Sequence, residues 1–284
     1  MTNDCLPCMV RGSLDTAKLA TDDKQLQQKI VKKILRILID VDMNNPPPLM
    51  ARNIQQAVKE VTGVDDPYAD IKKTYNDFAL KIYPDLQKKA GPACFETAVR
   101  LCIAGNIIDF GTHTTIGEKK VLDTIENALK IEINGQVDAL KKACEQADRI
   151  LWIADNSGEI VFDKLLLEKL DLQKVTYAVR GGPTQNDATY EDAKYTGITK
   201  MVKVIDTGAA IPGVILEHCS KEFRQSYKQA DLIIAKGQGN FETLDHKDSR
   251  IFFLFKAKCP VVAIHAGCDL HDIVILKGAK DIGK

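Results

Sequence analysis

The stretch Arg149-Ile-Leu-Trp-Ile-Ala-Asp155-Asn156-Ser-Gly158-Glu159-Ile-Val-Phe-Asp-Lys-Leu-Leu-Leu-Glu-Lys-Leu170 opens on an unbroken apolar run and continues with apolar residues at helical spacing. A short apolar run feeding directly into an amphipathic helix is one step of a βα unit. Working outward, the same alternation recurs through the second half of the chain. The runs at 174–180, 201–206, 231–236, 260–265 and 272–276 read as further strands, and each of the first four ends in polar or glycine-rich residues. With 155–158 these ends are 180–183, 206–208, 236–240 and 265–267. Ligands bind beyond the carboxyl ends of strands in open parallel sheets, so these five loops are expected along one rim.

Before residue 113 the pattern is different. Apolar residues return at steps of three and four, with Ile30, Ile34 and Leu38 on one face, which predicts helices. Asn44, Asn45 and Pro46 to Pro48 should break the first long helix. A helix over about 49–62 should follow, then one over about 68–90 interrupted at Pro84, and one over about 93–108 with Pro92 in its first turn. The expected fold is α/β: a helical N-terminal region over 1–112 and a Rossmann-like α/β/α domain with a mainly parallel sheet over 113–284.

Composition removes several classes of function. The 39 Lys and Arg balance 39 Asp and Glu, so no excess charge draws the chain to nucleic acid or to an anionic membrane. The first residues lack the basic and apolar segments of a secretory signal, and no apolar run reaches the roughly eighteen residues a membrane span needs. A cytoplasmic protein is expected, with its eight cysteines reduced. Cys5 and Cys8 form the one CxxC pair, and no matching second pair offers the four ligands of structural zinc.

Asp155 and Asn156 place a carboxylate and an amide carbonyl together at a strand end, both suited to a hard divalent cation. Ser157 and Gly158 then open a helix whose free amides and dipole favour a phosphate. The plainer alternative is that Asp155 or Asn156 caps that helix. In the next rim loop, Asp187 is the favoured third ligand and Arg180 a partner for a phosphoryl oxygen, against an N-cap role for Asp187 at a helix starting near Ala188. Gly237-Gln-Gly239-Asn240 resembles an anion-cradling loop, but Glu242 stands where a dinucleotide motif needs its third glycine. Lys256 and Lys258, expected just before a strand, could reach a phosphate or simply be solvated. Asn106 and Asp109, one helical turn apart, could point into the rim or merely satisfy a helix end. Histidines 113, 218, 246, 265 and 271 are scattered and form no metalloprotease or hydrolase motif.

Together the motifs CLPC at 5–8, GNIIDFG at 105–111, ADNSGEIVFD at 154–163, VRGGPTQNDAT at 179–189, GQGNFETL at 237–244 and KAKCPVVA at 256–263 resemble the damage-control phosphatases, formerly a family of unknown function. The CxxC and compact length resemble its first, largely microbial subfamily; the role of Cys5 and Cys8 there is open. The resemblance implies a divalent metal ion (Mn²⁺, Mg²⁺, Co²⁺ or Ni²⁺) held by Asp155, Asn156 and Asp187, which are also the expected catalytic residues. It implies that Glu159 shapes the pocket, that Gly239 and Asn240 belong to a substrate loop, and that Lys258 or Lys256 contacts phosphate. Asn106, Asp109 and Arg180 complete the expected substrate side. The implied partners are small phosphate esters: sugar phosphates, damaged metabolites or nucleotide-related phosphates. Catalysis would rest on positioning and charge compensation around the phosphoryl group. The sheet order alone would equally allow a nucleotide- or S-adenosylmethionine-binding transferase, which the paired Asp155 and Asn156 argue against.

Overall fold

The computed structural model, which describes residues 1–91, 94–107, 118–244, 246 and 248–278, opens with the helices α1 (Cys5–Ala20), α2 (Lys24–Ile39), α3 (Pro47–Thr62), α4 (Ala69–Ala90) and α5 (Phe95–Ala104). Then come α6 (Glu118–Ala128), β1 (Ile133–Gly135), α7 (Val137–Gln146), β2 (Ile150–Ile153), α8 (Glu159–Leu167), β3 (Val175–Val179), α9 (Tyr190–Tyr195) and β4 (Lys203–Asp206). The chain continues through α10 (Lys221–Gln229), β5 (Leu232–Lys236), α11 (Gly237–Thr243), β6 (Ile251–Lys256), α12 (Pro260–Ala266) and β7 (Ile273–Lys277).

The seven strands form one sheet in the order β1-β7-β6-β5-β2-β3-β4, with every pairing parallel except β6 with β7. Alternation of side chains along the strands divides the core in two. Ile150, Trp152, Tyr177, Ile234 and Leu254 face one side, packed under α5, α7 and α8. Leu151, Ile153, Ala178, Ile233 and Phe253 face the other, under α10, α11 and α12. This is the expected α/β/α sandwich on a mainly parallel sheet. From β2 the chain steps to β3 and β4 in one direction, while β5, β6 and β7 lie in the other. The switch point therefore falls between the carboxyl ends of β2 and β5, at Asp155 and Gly237.

The helical half is not set apart from this core. Phe95, Ala98, Val99 and Cys102 of α5 share a cluster with Trp152 and Leu254. Ala79, Ile82 and Leu86 of α4 pack on Phe162 and Leu165 of α8, which explains why α8 is apolar nearly all round. The remaining helices α1, α2 and α3 close on a small core of Met9, Ile34, Met50 and Ile54.

Three local expectations are corrected. Helix α4 runs unbroken through Pro84, because Ile82, Leu86 and Ala90 on its buried face hold the helix where the proline removes one backbone donor. The segment 260–265 is helix α12: Pro260 occupies the first helical turn and Gly267, in the left-handed region, ends it. Its His265–Gly267 end is thus a helix terminus, not a strand-end loop. The missing strand is β6, whose continuous run Ile-Phe-Phe-Leu-Phe is buried on both faces. Lys256 consequently ends a strand and Lys258 follows it, instead of both preceding one, which puts them at the carboxyl rim. Helix α3 starts and ends close to its expected limits, whereas α5 ends at Ala104 and gives way to a 3-10 turn over Gly105–Ile107 that carries Asn106; Pro92 and residue 108 lie outside the described residues.

Candidate active site

The strand β2 ends at Ile153, and the chain turns at Asp155 and Asn156 before α8 begins. The N-cap of α8 is Gly158, at φ 76°, and no side chain caps it. Helix α9 is capped by Thr189 with Asp192 in a reciprocal capping box. Both capping alternatives for Asp155, Asn156 and Asp187 are therefore removed by the structure.

A short backbone zipper joins the two loops. Ala188 N–H donates to the Asp155 carbonyl at 2.8 Å, Ser157 N–H to the Asn186 carbonyl at 2.8 Å, and Arg180 N–H to the Ala188 carbonyl at 2.9 Å. Asn156 and Asp187 form an isolated β-bridge. Residues about thirty apart in sequence are thus held side by side by main-chain bonds. Gln185 at the tip of this loop has φ 46°, and its N–H is held by the Gln55 side chain of α3 at 3.1 Å.

Around this zipper the candidate side chains converge. Arg180, only 1% exposed, donates through Nε to Asp187 Oδ2 at 2.6 Å and through Nη1 to Asn240 Oδ1 at 3.1 Å. Its Nη2 lies 3.6 Å from Asp155 Oδ1, too far for a hydrogen bond. Asn106 Nδ2 donates to Asp155 Oδ2 at 2.9 Å and Glu159 Oε2 at 2.8 Å, and Asn156 Nδ2 donates to the same two oxygens at 2.7 and 3.1 Å. Gly237, at φ 78°, presses its backbone against Asp155: a Cβ there would lie 1.9 Å from Oδ2. The Lys258 charge opposes the rise of the Asp155 carboxyl, while burial and the neighbouring Lys258 charge lower Lys256. The side-chain Oε1 of Gln238 accepts from the N–H of Lys258 at 2.5 Å and of Cys259 at 3.2 Å, joining the β5 and β6 rim loops.

Two expected residues have packing duties. A Cβ on Gly239 would lie 1.9 Å from the Pro212 carbonyl oxygen, so this glycine permits a backbone contact. Asn240 is fully buried, donating to the Ala154 and Lys236 carbonyls at 3.2 and 2.7 Å while accepting from Arg180. Asp109 lies outside the described residues. The helix-terminus phosphate site expected at Ser157 and Gly158 is corrected: the Ser157 amide is used in the zipper, and the Gly158 amide donates to Asn76 Oδ1 at 2.7 Å. Asn76, on α4, also donates to Asp192 Oδ1 at 2.8 Å, so one side chain braces both loops.

Sequence reading missed Lys236, Asp163 and Asn76. Lys236 has no exposed surface and pairs with Glu159 and Asp163 at 2.7 and 2.6 Å. Four carboxylates, Asp155, Glu159, Asp163 and Asp187, thus share a buried region with two cations, Arg180 and Lys236. Burial, with Asp187 and Glu159 as like-charged neighbours, pushes the Asp155 carboxyl well above its usual range against the pull of Arg180 and Lys258. Burial raises Asp187 to about 6, with Arg180 opposing.

This surplus of negative charge is what a divalent cation would neutralise. Four buried side-chain atoms among the described residues lack a hydrogen-bond partner, and all lie here: Asn106 Oδ1, Ser157 Oγ, Arg180 Nη2 and Thr184 Oγ1. Among the described residues no three His, Cys, Asp or Glu side chains form a ready cage for a metal. The set around Asp155 is of another kind, two carboxylates and an amide, which suits an ion that keeps waters and takes substrate oxygens. The residues fit such an ion. A cavity of about 720 Å³ lies behind the loop, lined by Lys72, Asn76, Gly181, Gly182, Tyr190 and Tyr195; of the candidate residues only Arg180 touches it.

Residues 1–274 match the family model described as the damage-control phosphatase ARMT1-like domain. The chain belongs to that family. A damage-control phosphatase of Pyrococcus horikoshii is 39% identical over 92% of each chain, and one of Archaeoglobus fulgidus is 33% identical over 95% of this chain and 96% of its own. An uncharacterised protein of Methanocaldococcus jannaschii is 37% identical over 96% and 94%. The crystal structure of the Pyrococcus protein, described there as a DUF89 family member, superposes with a TM-score of 0.91 at 35% identity, covering 98% of this chain and 99% of that one. The family resemblance read from the motifs, the α/β fold and a phosphatase of the damage-control type agree with these matches. No helix among the described residues is long and apolar enough to cross a membrane.

The CxxC sits at the start of α1, with Cys5 packed against the core of α1–α3. Cys8 is exposed, and the partial burial of its thiol, with Cys259, Cys5 and Glu242 beside it, raises it above the usual range, away from a thiolate. Burial likewise lifts Glu242 to about 7, opposed by the terminal amino group. The folded protein then keeps a proton that the unfolded chain loses near 4.5, so stability falls as pH rises from there to about 7 and levels off above. Glu242→Gln is expected to raise the melting temperature at pH 8, by on the order of 1 kcal/mol of stability, and to change little at pH 4.5. Equal shifts at both pH values in thermal melts would contradict this.

Proposed function

We propose that this chain is a divalent-metal-dependent phosphatase of small phosphate esters. The observation that carries the reading is the zipper that sets Asp187 beside Asp155 and Asn156 in a buried region with more carboxylates than cations. Asp155, Asn156 and Asp187 would hold the ion, which when bound supplies Lewis-acid stabilisation of phosphoryl charge. Arg180 is fixed by Asp187 and Asn240, leaving its Nη2 to donate to a phosphoryl oxygen. Lys258, near enough to act on Asp155, would balance the remaining phosphate charge. These groups are held by main-chain bonds and burial, so they need little reorganisation as charge develops. Sugar phosphates, damaged metabolites and nucleotide-related phosphates are the substrate classes proposed, in keeping with a family described as damage-control phosphatases.

The test is a metal-by-substrate screen. Chelated protein should release phosphate from an aryl phosphate at least ~100-fold more slowly than protein supplied with one of Mn²⁺, Mg²⁺, Co²⁺ or Ni²⁺. Chelator-resistant turnover would remove the metal from the reading. Absence of phosphate release with every ester and ion, alongside thermal stabilisation by S-adenosylmethionine, would favour the transferase alternative.

A further inference from the structure

Lys236 contributes nothing directly to the proposed ligand set, yet it is the most enclosed cation beneath it. Its Nζ donates to Glu159 Oε1 at 2.7 Å, to Asp163 Oδ1 at 2.6 Å and to the Cys102 carbonyl at 3.2 Å. Stability alone does not account for such an arrangement, because a buried ion pair replaced by apolar groups of similar size is often no less stable.

The partners of its two carboxylates give the arrangement a direction. On the core side, Asp163 Oδ2 accepts from Tyr177 Oη at 2.6 Å and from Trp152 Nε1 at 3.1 Å, and Cys102 Sγ donates to Oδ1 at 3.2 Å. Asp163 is thereby anchored to the sheet and α5. On the site side, Glu159 Oε2 accepts from the amide groups of Asn106 and Asn156, which both also donate to Asp155 Oδ2. An asparagine amide presents an oxygen on one edge and two N–H donors on the other. With the NH₂ edge of Asn156 shared between Glu159 and Asp155, its Oδ1 is turned away from both carboxylates. That is the orientation a cation ligand requires. The same contacts occupy Asp155 Oδ2 and leave Oδ1 without a hydrogen-bond donor from these amides.

We propose that Lys236 is a positioning residue for the cation site, acting through Glu159 to set the amide of Asn156 with its oxygen outward. Ligand-orienting partners of this kind are worth about 10- to 100-fold in metal affinity. This inference rests on the reading that Asp155, Asn156 and Asp187 hold the ion.

The experiment is a titration with Mn²⁺ alone, following free Mn²⁺ by electron paramagnetic resonance, on the wild type, Asp155→Ala, Lys236→Gln and the double variant Lys236→Met with Glu159→Gln. Circular dichroism and melting curves report folding. The double variant removes Lys236 and the site-side one of its two carboxylates, leaving Asp163 with its donors Tyr177, Trp152 and Cys102, so it keeps the test available where Lys236→Gln leaves Glu159 unpaired and unfolds. The expected result is a folded variant whose Kd for Mn²⁺ is raised ~10- to 100-fold, with KM for an aryl phosphate at saturating Mn²⁺ near that of the wild type in Lys236→Gln. A folded Lys236 variant binding Mn²⁺ within twofold of the wild type overturns the positioning role while leaving the ligand set standing. A different result, Asp155→Ala binding Mn²⁺ as tightly as the wild type, overturns the ligand set itself.

Discussion

Asp155→Ala should eliminate metal-stimulated phosphate release, by ~10³-fold or more, while the metal-free protein keeps its melting temperature within a few degrees. The two halves of this expectation have one cause. Asp155 is buried beside Asp187 and Glu159, and their mutual repulsion already pushes its carboxyl toward the neutral form. Removing it costs two amide hydrogen bonds, from Asn106 and Asn156, but relieves that repulsion. What the fold gains little from, the bound ion needs: without this carboxylate the proposed set keeps one acid and one amide. Saturating Mn²⁺, at about 100 times Kd, should stabilise the wild type by ~2.7 kcal/mol and leave the variant unmoved. Turnover by Asp155→Ala within tenfold of the wild type, measured by phosphate release from an aryl phosphate, would place the chemistry elsewhere.

The second large effect comes from a residue with no side chain. Gly237→Ala would set a methyl 1.9 Å from Asp155 Oδ2 and 2.1 Å from its Cγ, at a φ of 78° that L-residues adopt at a cost of about 1–2 kcal/mol. The carboxylate must move, and a displacement near 1 Å at a reacting centre costs about 10²-fold in rate. Gly63→Ala is the matched control, since Gly63 has nearly the same φ, 77°, with nothing within 4 Å of the added methyl. Both variants should lose similar backbone stability in thermal melts, but only Gly237→Ala should lose kcat/KM. Parallel losses of stability with unchanged kinetics in both would show that the Asp155 carboxylate is free to yield.

Much of the candidate site is legible in the sequence. Asp155 and Asn156 stand out because a strand end followed at once by a helix leaves little room for two adjacent polar residues without a purpose. Asp187 was harder, since acid-rich turns are common; only the zipper and the Thr189 cap separate it from an ordinary helix start. Lys236 was not legible. A lysine ending a strand resembles any solvated rim charge, and its partners Glu159 and Asp163 lie 77 and 73 residues away. Helix α12 departs from the strand its sequence suggests for a related reason: Val261 and Val262 favour strands locally, but Pro260 and Gly267 bound a helix more strongly.

Asn76 holds the amide of Gly158 on one side and the carboxylate of Asp192 on the other, from a helix that precedes the sheet in the chain. A catalytic fragment pared down to the strand-bearing half would therefore lack a brace that neither loop can replace from its own sequence. Any attempt at a minimal enzyme should keep α4 with the strand-bearing half.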